Sequence, residues 1–431
     1  MIKQIEIEGY RLLDGFKADL RPLTVVIGAN AVGKSTLLDC LQCIAQCAEF
    51  PLNTAIGWHW GMNSLLSAVK GERKMSWHIT FSKPVAPFWK DLPLDDRQAY
   101  VYEVILKGDI QGRASAEYEV LRNLEPVSGK AMPLKYLEAN LNRRYIFNRT
   151  EHKLVPFDDV VSATPQKTGV SEEPASYAET GLPPAVQEPA LMLSQIRFFN
   201  EFPVPSFARV LLANMAFYPG FDVTKSSFLR RQPAEIKPQT ILAQNGEDLG
   251  TVLHEILTRY DYRQTANDIR EFLQAAYPAF EEIHCDTTHG TPAQVLVRVR
   301  EKQMLRSMEI GELSDGMLRF LCLACALLNP VPPPFIAVDE PEIGLHPRLF
   351  PIIADMIKTA SERTQVLITT HSPDLLNQFD IEDVAVMSRG EELKTAWHRP
   401  ADRKTLVEML KDVEAETLGD LHRSGELEAM G

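Results

Sequence analysis

An α/β fold is predicted by three apolar strands, each of which ends in residues suited to chemistry. Leu23-Thr24-Val25-Val26-Ile27 runs into a glycine-containing loop, Phe335-Ile336-Ala337-Val338 runs into Asp339-Glu340, and Gln365-Val366-Leu367-Ile368-Thr369-Thr370 runs into His371. Apolar runs without polar alternation suit strands buried on both faces of a parallel sheet. Helical periodicity follows the first strand, with Leu37, Leu41, Ile44 and Ala48 on one stripe from Ser35 onward.

The remaining elements follow in chain order. Ile5 and Ile7 alternate with charged neighbours, as in a half-buried strand. Between Ser76 and Phe157 the pattern is that of antiparallel strands joined by turns: Trp77 to Phe81, Tyr100 to Leu106, and Arg144 to Phe147. Pro165, Pro174, Pro183, Pro184 and Pro189 punctuate a stretch with few large hydrophobes. Such a stretch cannot bury enough surface to offset its ordering entropy and reads as a flexible insertion. Residues 191–280 read as largely helical, for instance Leu249 to Tyr260 and Thr265 to Ala276, and Val295 to Arg300 as a half-buried strand. A helix over 315–328, a strand over 335–338, a helix over 348–360, a strand over 365–369 and a helical tail complete the chain. The expected units are an N-terminal lobe (1–157), the proline-rich insertion (158–190), a mainly helical lobe (191–300) and a C-terminal lobe (301–431). Sustained heptads are missing, which excludes a long coiled-coil arm.

Composition narrows the class. Of 431 residues 45% are hydrophobic and 24% charged, as in a globular chain. A net charge of −13 gives no global positive field toward nucleic acid or anionic lipid. The N-terminus has no secretory pattern, and the longest apolar stretch, Phe320 to Leu328, is too short to cross a bilayer. The expectation is a cytoplasmic protein with no membrane role. Cys40, Cys43 and Cys47, like Cys322 and Cys325, recur at helical spacing among Leu, Ile and Ala, where free cysteine packs as a small hydrophobe.

Chemistry concentrates in four motifs. Gly28 to Thr36 fits the Gly-x4-Gly-Lys-Ser pattern, between a strand and a helix as that pattern requires. Gly28 and Gly33 let the backbone approach phosphate oxygens, and the amides from Asn30 to Thr36 form an anion nest at the helix N-terminus. Lys34 reaches the β- and γ-phosphates of a nucleotide, and the Ser35 hydroxyl ligates Mg²⁺. At the end of its strand Asp339 holds Mg²⁺ through water, and Glu340 polarises the attacking water as general base. His371, 32 residues beyond Asp339, is placed to sense the γ-phosphate. Leu313-Ser314-Asp315-Gly316 opens an apolar helix, where Ser314 is a good N-cap and also suits a phosphate clamp.

The order phosphate loop, Leu-Ser-Asp-Gly, Asp-Glu-Pro-Glu, Thr-His-Ser resembles the ATP-binding-cassette (ABC) ATPases of the RecF/SMC-like branch. It is most similar to stand-alone AAA-domain ATPases related to the ATPase part of overcoming-lysogenisation-defect nucleases. Asn245 to Asp248, and Leu418 to Leu421 with Gly425-Glu426-Leu427, look similar to that group more loosely. The resemblance implies a P-loop NTPase with an ABC-ATPase-like head, an antiparallel β lobe and an inserted helical lobe. It also implies ATP and Mg²⁺ bound in a site shared by two chains. Lys34, Ser35, Asp339, Glu340 and His371 of one copy would face Ser314 and Gly316 of the other, with Tyr10 and Arg11 near the nucleotide base. Ala31 stands where many relatives have glycine, and the glutamine that usually completes the Mg²⁺ shell has no evident counterpart.

The function expected is that of an ATP-hydrolysing switch, homodimeric through ATP, that controls a separate effector in antiviral defence. The stretch after His371 is too short for a Toprim nuclease domain and lacks its acid cluster, so a nuclease would be a partner subunit. The alternative is a DNA-binding ATPase of repair or chromosome maintenance, with Arg143, Arg144, Arg230 and Arg231 as phosphate contacts. A transporter subunit shares the motifs but not the large insertion between residues 50 and 300.

Overall fold

The computed structural model describes residues 1–67, 73–82, 99–126, 132–141, 143–148, 153–158, 189–196, 201–231, 233–288, 293–390, 394–403 and 417–429. Its centre is a six-stranded sheet in the order Ala216–Tyr218, Phe335–Asp339, Gln365–Thr369, Leu23–Ile27, Val384–Arg389 and Thr395–His398. The first five strands are parallel and the last is antiparallel. Every residue of Leu23–Ile27 and of Gln365–Thr369 is buried, as the uninterrupted apolar runs require. Register pairs Asp339 with Thr369 and Thr369 with Val26, so the three motif-bearing strands end side by side.

Alternate residues of this sheet feed two cores. Val26, Phe335, Ala337, Leu367 and Met387 face one side, where the helix Lys34–Cys47 presents Leu37, Leu41 and Ile44. Val25, Ile27, Ile336, Val338, Val366 and Ile368 face the other, against the helices Asp315–Leu327 and Phe350–Ser361. Removing one such side chain, as in Leu41→Ala, costs about 2–5 kcal/mol. Cys40, Cys43, Cys47, Cys322 and Cys325 are buried and free in these cores. Among the described residues no group of three His, Cys, Asp or Glu is arranged to hold a metal ion by itself.

The expected antiparallel lobe is an eight-stranded sheet in the order Phe16–Asp19, Ile2–Glu8, Lys74–Phe81, Tyr100–Gly108, Ala114–Asn123, Lys135–Asn140, Arg143–Asn148 and Lys153–Pro156. Gln365 joins it to the parallel sheet, accepting from Ile2 N (2.9 Å) and donating to Ile2 O (2.8 Å). A smaller antiparallel sheet of Ala234–Glu235, Gln294–Glu301, Phe280–Thr288 and Met308–Glu309 accompanies the helices Leu249–Thr258 and Arg263–Ala276, while the helix Pro203–Ala213 packs in the core shared with Lys34–Cys47.

Two stretches depart from the sequence reading. The 191–280 segment, read as helical, contains the strand Ala216–Tyr218, which is too short to show a period of its own. The tail, also read as helical, first supplies the strands Val384–Arg389 and Thr395–His398. Apart from residues 158, 189 and 190, the insertion expected over 158–190 lies outside the described residues. Among the described residues no helix is long and apolar enough to cross a membrane.

Candidate active site

The loop from Gly28 to Thr36 leaves the sheet between Leu23–Ile27 and the helix Lys34–Cys47. Gly28 has φ 150° and a Cβ there would overlap the Met387 carbonyl oxygen, so that position excludes any side chain. Ala31 (φ 62°) and Gly33 (φ 109°) continue the left-handed turns, and Gly33 caps the helix with no side chain on its first amides. Those orphan N–H groups, with the helix dipole, form an anion cradle. Ala29, Asn30, Ala31 and Ser35 are exposed at its mouth, and Thr36 is half-buried in the first helical turn. Lys34 is only 6% exposed, and its Nζ donates to Gly28 O (2.7 Å) and Ala29 O (3.0 Å), which draws the ammonium across the loop. Burial lowers its pKa, while Glu340, Asp339 and Glu428 pull it back up. A partly desolvated cation gains most from meeting a polyphosphate.

The two acids stand opposite this loop. Ser35 Oγ donates to Asp339 Oδ2 (3.3 Å), and Thr369 Oγ1 donates to Asp339 Oδ1. A serine hydroxyl beside a carboxylate is a hard oxygen donor set that suits Mg²⁺ next to phosphate oxygens. The residues present therefore fit the nucleotide and its metal. Glu340 has φ 48°, a left-handed conformation that costs a non-glycine residue on the order of 1–3 kcal/mol. Its backbone is held there by N–H donation to Thr369 O (3.1 Å) and Thr369 Oγ1 (3.2 Å). His371 Nε2 lies 3.6 Å from Glu340 Oε1. Burial, and then the charge of Lys34, hold the imidazole below its ordinary pKa of 6.5 against the pull of Glu340. That shift favours the neutral imidazole near pH 7.

One residue escapes the sequence reading. Glu342 Oε1 accepts from Thr370 Oγ1 (2.6 Å) and from His371 N (3.2 Å), tying the turn after Glu340 to the histidine loop. Burial and the nearby Glu340 raise its pKa. Nothing in Pro-Glu-Ile-Gly announces this role, because the partners lie 28 and 29 residues away. A second unforeseen feature is a cavity of about 340 Å³ between Tyr218 to Asp222 and Val338 to Pro341, with Arg319, Leu323 and Ile343 on its wall. The strand Ala216–Tyr218 opens into it beside Asp339 and Glu340. Its lining contains no glutamine, so the missing Mg²⁺-shell residue is not supplied there.

The other expected site residues fall into two groups. Tyr10 is 1% exposed and donates its hydroxyl to Asp39 Oδ2 (2.6 Å), while Arg11 Nη1 lies 2.7 Å from the same oxygen with 31% of its side chain exposed. Both brace the helix that follows the phosphate loop, and the Tyr10 ring offers no open face to a base. Ser314 accepts from Met317 N (3.2 Å) as the N-cap of Asp315–Leu327. Gly316 lies against Gly344 O, within 3.5 Å of where its Cβ would stand. Gly316 thus adjoins the turn that follows Glu340. Arg230 donates to Val223 O (2.9 Å), Gly311 O (2.9 Å), Leu313 O (2.8 Å) and Asp315, which holds the Leu313–Gly316 turn in place. Arg144 stacks on Phe157 and bonds Gln195 (2.6 Å), and Arg231 stacks on Phe228.

Comparison with known proteins bears on the fold and on the ATPase families the chain matches. Residues 178–377 match a family described as "AAA domain, putative AbiEii toxin, Type IV TA system", and residues 1–86 match one described as "AAA ATPase domain". The Nod factor export ATP-binding protein I of Burkholderia pseudomallei (strain 1710b) is 34% identical over 88 residues, and its counterpart in strain K96243 matches equally. The matched stretch is 20% of this chain and 28% of the length of those curated relatives, too little to transfer their activity. Among solved structures, an SMC head bound to the C-winged helix domain of ScpA superposes with a TM-score of 0.52 at 12% identity, covering 93% of this chain and 99% of that one. The Smc head domain with an extended coiled coil, bound to the C-terminal domain of ScpA from Pyrococcus furiosus, gives 0.50 at 12% identity, with 95% and 99% covered. At that identity the likeness establishes the fold alone. The fold is thus that of an SMC head, and residues 178–377 and 1–86 carry the matches to AAA-type ATPase families.

Proposed function

We propose that the protein is a cytoplasmic ATP-hydrolysing switch that closes as a dimer on ATP and controls a separate effector in antiviral defence. The observation that carries the hydrolytic part is the convergence of Lys34, Ser35, Asp339, Glu340 and His371 at the ends of three neighbouring parallel strands. The loop amides and Lys34 bind the phosphates. Ser35 and Asp339 would hold Mg²⁺, which when bound offsets phosphate charge. Glu340, fixed at its strained turn, takes the proton of the attacking water. Neutral His371 orients toward the γ-phosphate as a hydrogen-bond partner.

Dimer closure accounts for Ser314 and Gly316. They form the N-terminus of a 13-residue helix, a natural anion site, and Gly316 adjoins the Gly344 turn rather than the phosphate loop. In a closed pair they would clamp the nucleotide held by the other copy. The matched family description names a putative toxin of a type IV system, which supports a defence role, while the separate effector is what the motif resemblance implies and any nuclease would be that partner. The DNA-clamping alternative is less supported, because Arg230 is already committed inside the chain.

The test is ATP hydrolysis by the purified chain beside Glu340→Gln. The variant should keep wild-type ATP affinity while phosphate release falls at least about a hundredfold, the scale of losing a general base. Wild-type turnover in Glu340→Gln would refute the assignment.

A further inference from the structure

The segment 417–429 is far from the nucleotide motifs in sequence and is joined to them in space. Thr417 and Asp420 form a reciprocal capping box that starts the helix Leu418–Ser424. Gly425 (φ 80°) ends it, and Glu426–Ala429 forms a second short turn. This small unit is seated on Pro373–Leu376, the helical turn that begins two residues after His371.

Three contacts fix that seat. Gly419 N donates to Asn377 Oδ1 (2.6 Å). A Cβ on Gly419 would stand 2.5 Å from Pro373 O and 2.7–2.8 Å from the Asn377 amide, so the approach is possible only for glycine. Leu418, Leu421 and Leu427 are buried in the same core as Leu375 and Leu376. On the far side, the Leu427 carbonyl oxygen lies 3.1 Å from His398 Nε2, on the last strand of the parallel sheet.

The unit also carries charge to the site. His422 Nδ1 is 2.6 Å from Glu428 Oε1, and the two side chains are 9% and 17% exposed. Glu428 is among the carboxylates acting on Lys34, and His422 is among the groups acting on His371. A buried histidine–glutamate pair therefore lies within electrostatic reach of both residues expected at the γ-phosphate.

We propose that the 417–429 segment is a positioning strap of the hydrolytic site: through Gly419 and Asn377 it holds the backbone that follows His371. Glu342 grips the same loop from the opposite side, at Thr370 Oγ1 and His371 N. His371 thus stands between two anchors, one on the turn after Glu340 and one on the strap. Asn377 and Gly419 act through His371 as positioning residues. The inference rests on the reading of His371 as part of the hydrolytic site.

The test uses the full chain with Asn377→Ala, Asn377→Asp and Gly419→Val, and reads ATP affinity, kcat and thermal midpoint for each. Asn377→Ala removes one hydrogen bond and should lower kcat about threefold to tenfold, with ATP affinity within about twofold of wild type. Asn377→Asp keeps the accepting oxygen and should restore most of that kcat. Gly419→Val lifts the strap and should lower kcat further than Asn377→Ala. Wild-type kcat in both Asn377→Ala and Gly419→Val overturns the proposal. So does a loss in Asn377→Ala that Asn377→Asp fails to restore, or one matched by equal losses of affinity and thermal midpoint. A wild-type chain that hydrolyses no ATP refutes the proposed function itself, and the strap with it.

Discussion

Glu342→Ala probes how far the histidine loop depends on one buried carboxylate. The substitution removes the acceptor for Thr370 Oγ1 (2.6 Å) and His371 N (3.2 Å). A hydrogen bond to a charged group contributes about 1.5–3 kcal/mol. The two losses do not add in full, since the Thr370 hydroxyl can rotate and deletion relieves the burial cost that raises the Glu342 pKa. One bond's worth is the reasonable net effect. At about 1.36 kcal/mol per decade, that slows hydrolysis about 10- to 150-fold if His371 must be held for turnover. Glu342→Gln keeps an uncharged acceptor and should lose only about threefold to tenfold. The assay is steady-state phosphate release beside an equilibrium ATP titration. Affinity should stay near wild type, because neither bond reaches the phosphate loop. Wild-type kcat in Glu342→Ala would refute the claim that this carboxylate sets the histidine.

Three further outcomes follow from the same geometry. Lys34→Ala should weaken ATP binding at least about a hundredfold, the scale of a charge-assisted contact of about 3 kcal/mol, measured by calorimetric titration. Acid should switch hydrolysis off as His371 gains a proton. Its pKa is lowered in the fold, so the fall should come below pH 6.5, and a His371→Ala background should lack that limb of the pH–rate profile. Gly28→Ala forces a Cβ into the Met387 carbonyl at φ 150°. It should cost about 1–3 kcal/mol in backbone strain beyond the overlap, seen as a thermal midpoint lower by several degrees.

What could be read from the sequence divides along physical lines. The phosphate loop, Asp339-Glu340 and His371 are legible because each follows a strand buried on both faces, whose continuous apolar run marks where the sheet edge must be. The antiparallel lobe is legible through alternation, as in Trp77 to Phe81. Ala216–Tyr218 is invisible because three residues carry no period, although it supplies the strand beside Phe335–Asp339. Glu342 and Gly419 are hidden for another reason. Their roles lie in partners 28 and 42 residues away, which no local pattern encodes. The meeting of Tyr10 and Arg11 at Asp39, on the helix after the phosphate loop, is likewise a contact distant in sequence that no local pattern encodes.

The central claim is that ATP closes two copies over a shared site, and light scattering on Glu340→Gln tests it most directly. With Mg-ATP the mass should double, and it should stay that of one chain without nucleotide, with ADP, or when Lys34→Ala is added. A mass unchanged by saturating Mg-ATP would contradict the account.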